Sequence, residues 1–171
     1  MKKKLLLLFL FSSFFISAQN LSMAQILDIK KKTLGNAEEF LTEKGWEFSE
    51  AQEPTDELMG SAVFTYRKSD VSDGAESFLS FVYSSFSDVT RITIQISKKE
   101  KYIEYLNSIK GYGCKQLSSK VEDGKIVKVY QGVTTTFVIK SATTSNYYDQ
   151  EVVTWILSVF SNEDYKLNFG E

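Results

Sequence analysis

The chain contains no histidine and only one cysteine among its 171 residues. Without imidazole it can have no Ser-His-Asp or Cys-His catalytic site, no His-ligated zinc and no histidine acid or base. Because Cys114 stands alone, a thiolate metal cage and an intramolecular disulfide are excluded as well. We therefore predict no metal site and no cofactor, and we interpret Cys114 as a small buried hydrophobic residue.

An enzyme built from this chain would have to use carboxylates, lysine, tyrosine or serine. The sequence-adjacent acidic pairs are Asp56 with Glu57, Glu122 with Asp123, and Glu163 with Asp164. Neighbours in an extended segment point to opposite faces, so these pairs are poor acid and base dyads, and we assign no catalytic residue. A hydrolase or lyase of envelope polymers stays an alternative. It requires a deep cleft that holds two carboxylates about 5 to 9.5 Å apart.

The acidic residues also raise the possibility of a calcium-binding loop. The segment 70–76 contains Asp70, Asp73 and Gly74, but aligning Gly74 with the glycine of an EF-hand puts Val71 at a ligand position. Valine cannot coordinate a cation. The segment is therefore interpreted as a solvated hairpin turn.

The longest apolar run lies at the N-terminus. Residues 2–4 are lysines, residues 5–11 are all Leu or Phe, and the run ends at Ile16-Ser17-Ala18-Gln19. About twelve apolar residues are too few for the roughly 20 that a membrane-spanning helix needs. The pattern is typical of a secretory signal peptide cleaved after about Ala18, with an uncleaved N-terminal membrane helix as the alternative. We expect an exported protein, periplasmic or extracellular, in which residues 1–18 are the signal and 19–171 a single domain.

Charge restricts the partners of that domain. The signal segment holds three of the 20 basic residues and none of the 22 acidic ones, so the remaining chain carries a formal charge of −5. Nucleic acid and anionic lipid attract basic surfaces, which makes both poor candidates as partners. No second run approaches membrane length, so we predict no membrane span after signal removal. A protein, peptide or envelope component is the expected partner, and the oligomeric state is unknown from the sequence.

Hydrophobic periodicity predicts an α+β fold. Helical spacing and capping boxes at Ser22 and Asn36 predict helices over 22–33 and 36–44, or one helix bent at Gly35. A capping box at Ser97 begins a further helix, whose apolar face is formed at helical spacing by Tyr102, Tyr105, Leu106 and Ile109. Alternation and turn residues predict strands from Trp46 and over 62–68, 77–85, 89–97, 112–122, 125–131, 133–140 and 150–160. Over 89–97 the alternation places Ile92, Ile94 and Ile96 on one face and Arg91, Thr93 and Gln95 on the other. Asp123-Gly124 is a strong two-residue hairpin turn. We expect the helices to pack on one face of an antiparallel sheet of about eight strands.

The two halves of the chain follow one plan, a helical segment followed by four strands. Phe-x-x-x-Lys-Gly-Trp at 40–46 matches Leu-x-x-x-Lys-Gly-Tyr at 106–112, although Lys then Gly is common at helix ends. The predicted units are 20–97 and 98–160, as two tandem α-β4 repeats. This order resembles the beta-lactamase-inhibitory-protein-like architecture of bacterial envelope and secreted proteins. The chain departs from it in lacking a disulfide. The resemblance implies a binding protein and carries over no functional residue.

Two neighbouring tyrosines are the candidate binding residues. Tyr147 and Tyr148 stand together in a polar connection, where adjacent extended residues cannot both point into one core. Tyrosine buries a large area at small entropic cost and is frequent in contact surfaces. We therefore predict a non-enzymatic binding module that presents the open sheet face or its loops. Its free surface should include an apolar or aromatic patch.

Overall fold

The structure is a computed structural model that describes residues 21–69, 74–145 and 150–170. In chain order the described elements are α1 (Met23–Ile29), α2 (Leu34–Glu43), β1 (Trp46–Gln52), β2 (Gly60–Lys68), β3 (Ala75–Tyr83), β4 (Thr90–Ile96), α3 (Lys99–Gly111), β5 (Lys115–Glu122), β6 (Lys125–Gln131), β7 (Thr135–Ser145), β8 (Glu151–Ser161) and α4 (Asn162–Asn168). The predicted α+β class, with helices packed on an antiparallel sheet of eight strands, is confirmed.

The eight strands form one sheet in the order β1-β2-β3-β4-β8-β7-β6-β5. Each half of the chain forms a meander of four strands, because consecutive strands within a half are antiparallel neighbours. The two meanders meet where β4 pairs with β8, with Ile94 opposite Leu157. Equivalent strands of the two halves therefore lie at the centre of the sheet, and the first strand of each half lies at an edge.

The main core lies between the sheet and the first three helices. In β4, Ile92, Ile94 and Ile96 are buried, as their alternation predicts, while Arg91 and Thr93 face the opposite side. Buried side chains from the helices and from both meanders form one continuous cluster with them. The helix-covered face is therefore a single core shared by the two halves.

Helix starts were predicted less well than core positions. The capping box at Ser22 is confirmed, since its hydroxyl accepts from the Gln25 N–H and the Gln25 side chain accepts from the Ser22 N–H. The start at Asn36 is wrong, because Thr33 caps α2 and Asn36 lies in its first turn. The start at Ser97 is also wrong. Lys98 precedes α3 and makes no side-chain cap.

The two halves show equivalent local geometry, but in a different register from the sequence match. Gly45 and Gly113 have φ of +78° and +74° and each donates its N–H three residues back, to Thr42 O and Lys110 O. Gly111, which the motif aligned with Gly45, is instead the last residue of α3. Both edge strands also carry a bulge, between Phe48 and Glu50 in β1 and between Gln116 and Ser118 in β5. These features coincide at a spacing of 68 residues, and the duplication itself stays a prediction.

One helix was not predicted. α4 begins at the end of β8, where Ser161 accepts a hydrogen bond from the Asp164 N–H. Its Tyr165 packs against Val127, Val129, Val138 and Phe160, a second cluster on the side of the sheet opposite the first three helices. The sheet therefore has helices on both faces, although α4 covers only part of the second.

Tyr105 links α3 to the start of α1. Its hydroxyl donates to the Leu21 carbonyl at 2.6 Å, and only 1% of the residue is exposed. Burial, aided by the neighbouring Glu104 carboxylate, raises the pKa of Tyr105 far above its usual value near 10. The folded state therefore holds the proton that the unfolded chain releases above about pH 10.

We expect Tyr105→Phe to lower the free energy of unfolding near pH 7 by about 1 to 2 kcal/mol, because the Leu21 carbonyl loses its donor. Above about pH 10 the wild type should lose this advantage progressively, so the two proteins converge as the pH rises. Urea unfolding at pH 7 and pH 10.5 measures the difference. Tyr112→Phe, at a half-exposed tyrosine, is the matched control. If the difference in the free energy of unfolding between wild type and Tyr105→Phe is the same at both pH values, the buried hydroxyl is not the cause.

Candidate binding groove

A groove of about 600 Å³ lies on the sheet face opposite the first three helices. Its floor is formed by β4, β8, β7 and β6, one wall is α4, and the other wall is the end of the β5–β6 hairpin. The volume lies within the range of about 300 to 1,000 Å³ that is typical of ligand sites. We call this feature the sheet groove.

The floor contains a row of paired residues that crosses four strands. Thr93 lies opposite Ser158, Ser158 opposite Val138, and Val138 opposite Val129. The Thr93 and Ser158 hydroxyls hydrogen bond to each other at 3.0 Å. Along this row the floor changes from hydroxyl groups to apolar side chains, so it can contact both polar and apolar parts of a ligand.

The α4 wall is aromatic. The Phe160 ring lies 5.9 Å from the Tyr165 ring and 4.9 Å from the Phe169 ring, centroid to centroid. Asn162 fixes the start of the helix, because its side-chain amide donates to the carbonyls of Gly132 and Val133 at 3.1 and 3.0 Å. The aromatic wall is therefore attached to the β6–β7 turn as well as to the end of β8.

An ion pair joins this wall to the centre of the sheet. Arg91 donates from Nε and Nη2 to the two carboxylate oxygens of Asp164, each at 2.8 Å. Asp164 is 3% exposed, and its Oδ1 also accepts from the Asn168 side chain at 2.9 Å. The Arg91 guanidinium lies 5.1 Å from the Phe169 ring centroid, within the range of a cation–π contact. Because both its oxygens are engaged, Asp164 holds α4 against β4.

The opposite wall is charged and exposed. Asp123 and Gly124 form the hairpin turn with φ of 49° and 73°, which confirms the predicted two-residue turn. Beside it, Lys120 and Glu122 form an ion pair at 3.6 Å with about half of each side chain exposed. With Lys140 on β7, this rim presents charges of both signs beside the apolar part of the floor.

The predicted binding residues cannot be placed in the groove. Tyr147 and Tyr148 lie outside the described residues, as do positions 70–73 of the segment considered for calcium. Within the described ranges, no group of three or more Asp, Glu, His or Cys is arranged to hold a metal ion. The acidic pair Glu122 and Asp123 lines the groove, but at its exposed rim rather than in a deep cleft.

Cys114 packs at the margin of the main core, but it is only partly buried, so the prediction of a small buried hydrophobic residue is correct for its packing and wrong for its burial. Burial raises the pKa of the Cys114 thiol, which disfavours the reactive thiolate form. A side chain added at Gly132 would come within 2.9 Å of the Cys114 sulfur, so the thiol fills space beneath the β6–β7 turn.

The groove residues were not found from the sequence because they are far apart in the chain. Arg91 and Asp164 are separated by 73 residues, and Thr93 and Ser158 by 65. The alternation of β4 did place Arg91 and Thr93 on the face away from the core. The four-residue pattern from Ser161 to Asp164 is a helix-start signal that could have located α4.

Among the described residues no helix is long and apolar enough to span a membrane. Comparison of the chain with protein-family models, with curated proteins and with solved structures finds no match in any of the three. The beta-lactamase-inhibitory-protein-like resemblance therefore stays a prediction from element order, and the groove has to be interpreted from its own geometry.

Proposed function

We propose that the chain is an exported, non-enzymatic binding protein that holds a peptide or protein segment in the sheet groove. The observation that carries the proposal is the groove itself, a preformed concavity on the sheet face that the first three helices leave open. Export is supported by the lysines at 2–4, the apolar run that follows them and the small residue Ala18 before the expected cleavage.

The lining favours a peptide-like ligand. Val127, Val129 and Val138 offer apolar contacts, while the hydroxyls of Thr93 and Ser158 can bond to amide groups. Binding sites combine a mainly apolar lining with a few polar groups that fix orientation. A peptide has both parts, apolar side chains and regularly spaced amides, and the lysines and carboxylates of the rim can select among its charged residues.

The hydrolase alternative has less support. Of the carboxylates at the groove, Asp164 is held by Arg91 and Asn168, and Glu122 and Asp123 lie on an exposed hairpin. Neither arrangement provides a free, enclosed pair of carboxylates at the separation that glycoside cleavage requires.

Site-specific cross-linking in cells of the native host tests the binding proposal. A photo-reactive residue at Lys140, on the groove rim, should capture a defined protein, whereas the same residue at the exposed Lys110 of α3 should not. Adding Ser158→Phe, which fills the floor, should reduce the Lys140 adduct at least about tenfold because the ligand loses its space. Circular dichroism checks that the filled variant is folded. Equal capture from both positions, or an adduct that survives filling of the floor, would refute the groove as the binding site.

A further inference from the structure

We infer that a second concavity binds a phosphate-type oxyanion. It lies at one end of the sheet, on the side that carries the first three helices. This pocket of about 430 Å³ lies between the α1–α2 turn and the β3–β4 connection. Residues 30–33 line one side, and Ser84, Ser87, Asp88 and Thr90 line the other. We call it the lysine pocket, since Lys30, Lys31 and Lys32 are consecutive on its wall.

Lys30 is the central residue of this inference. Its side chain is half-buried under the β3–β4 connection, and within the described part of the chain its ammonium group makes no ion pair or hydrogen bond. The carboxylate that acts on the pKa of Lys30 is that of Asp164, and both of its oxygens are already engaged by Arg91. The pocket therefore holds a partly desolvated cation whose charge the described residues do not neutralise directly.

The electrostatic cost of this arrangement acts on the pKa of Lys30. Burial lowers the pKa of the Lys30 ammonium, and the Asp164 carboxylate opposes that effect only in part. An anion in the pocket would favour the charged form and bring the pKa back up. A bound anion would therefore offset the desolvation cost of the charged Lys30 side chain.

The rest of the lining fits an oxyanion with several acceptor oxygens. Thr33, Ser84, Ser87 and Thr90 each carry a hydroxyl that can donate to such a group. Lysine binds phosphate as a point charge, whereas planar carboxylates are more often held by the fork of arginine, which this lining lacks. Asp88 is the one carboxylate in the lining, and it is exposed on the connection. Lys32 is partly neutralised by Asp28 at 3.1 Å.

The first turn of α2 also favours an anion in the lysine pocket. Its N-terminus carries no acidic residue, and Thr33 caps it from within the pocket lining. Unbonded N–H groups at a helix start favour a nearby anion. The overall negative charge of the domain does not oppose such a site, since charges farther than about a Debye length, near 8 Å at physiological salt, are largely screened.

Calorimetric titration of the purified protein with inorganic phosphate at low ionic strength tests this inference. Wild type should bind, and Lys30→Gln should weaken binding about tenfold or more, equivalent to at least about 1.4 kcal/mol. Removing a desolvated charge does not endanger the fold. Lys99→Gln, at the exposed first residue of α3, is the matched control and should bind like wild type. ¹⁵N NMR should show the pKa of Lys30 rising when phosphate is bound.

A parallel arm identifies the source of the oxyanion. Vesicles of phosphatidylglycerol and of phosphatidylcholine are tested for co-sedimentation with wild type and with both lysine variants. Binding of phosphatidylglycerol vesicles that Lys30→Gln abolishes would identify a lipid headgroup, and binding of inorganic phosphate alone would identify a small soluble ligand. If neither binds, or if Lys99→Gln weakens binding as much as Lys30→Gln, the inference is overturned. Ser158→Phe should leave phosphate binding unchanged, so this result is separable from the test of the sheet groove.

Discussion

Asp164→Asn should lower the free energy of unfolding by about 3 to 5 kcal/mol, the cost expected when one partner of a buried ion pair is removed. The substitution keeps the shape of the side chain but leaves the Arg91 guanidinium, whose side chain is only 20% exposed, without its bidentate counterion. Such a loss is a large part of the about 5 to 15 kcal/mol that stabilises a typical domain. Chemical denaturation followed by circular dichroism measures it.

Two further variants distinguish the contribution of the ion pair to stability from other contributions of α4. Glu163→Gln changes an exposed carboxylate in the same helical turn and should alter stability by no more than about 0.5 kcal/mol. Replacing both partners by apolar residues, Arg91→Met with Asp164→Leu, should recover part of the loss, since neither charge is then left unpaired. An Asp164→Asn protein as stable as the Glu163→Gln control would show that the pair does not hold α4 to the sheet.

The parts of this fold that were predictable are those whose signals are local. The alternation around Ile94 identified both the strand and its buried face, because the residues of one face recur every second position. Asp123-Gly124 located a hairpin, since its turn requires two residues with positive φ. Buried positions in α3, such as Tyr105 and Ile109, followed from helical spacing.

The predicted helix ends were wrong where two neighbouring residues were equally suited to begin or end the helix. Thr33 and Asn36 are both good cap residues, and the structure uses Thr33, so that Ala37 and Leu41 point into the core. Similarly, the Lys-Gly match aligned Gly111 with Gly45. Helix α3 instead runs on to Gly111, and the left-handed position falls at Gly113. In both places tertiary packing of the helix decides among ends that sequence alone leaves open.

The sheet groove could not have been predicted, because its geometry depends on register between distant strands. That Thr93 meets Ser158, and that Arg91 reaches Asp164, follows from the pairing of β4 with β8. No periodicity within either strand contains that information. The sequence predicted an open sheet face, whereas the concavity depends on the position of α4 on that face.

The second large loss of stability is expected from a substitution where β4 pairs with β8, because this pairing joins the two halves into one core. Ile94 is fully buried and lies opposite Leu157, which is 2% exposed. Ile94→Ala should therefore cost about 2 to 5 kcal/mol through lost apolar contact and the cavity left behind. Gln95→Ala, at the exposed neighbouring position on the other face, is the matched control and should cost about 0.5 kcal/mol or less.

Because the core is continuous across β4 and β8, both halves should unfold together. The two tryptophans allow a direct measurement, since Trp46 begins the first meander and Trp155 lies in the last strand of the second. Trp155→Phe leaves a reporter in the first half, and Trp46→Phe leaves one in the second. In each single-tryptophan protein, fluorescence and circular dichroism should give the same denaturation midpoint, because a shared core makes unfolding one cooperative transition. Ile94→Ala should shift the midpoints of both reporters by the same free energy. If it destabilised only the half that contains Trp46, the two α-β4 units would be independent domains that merely share a sheet.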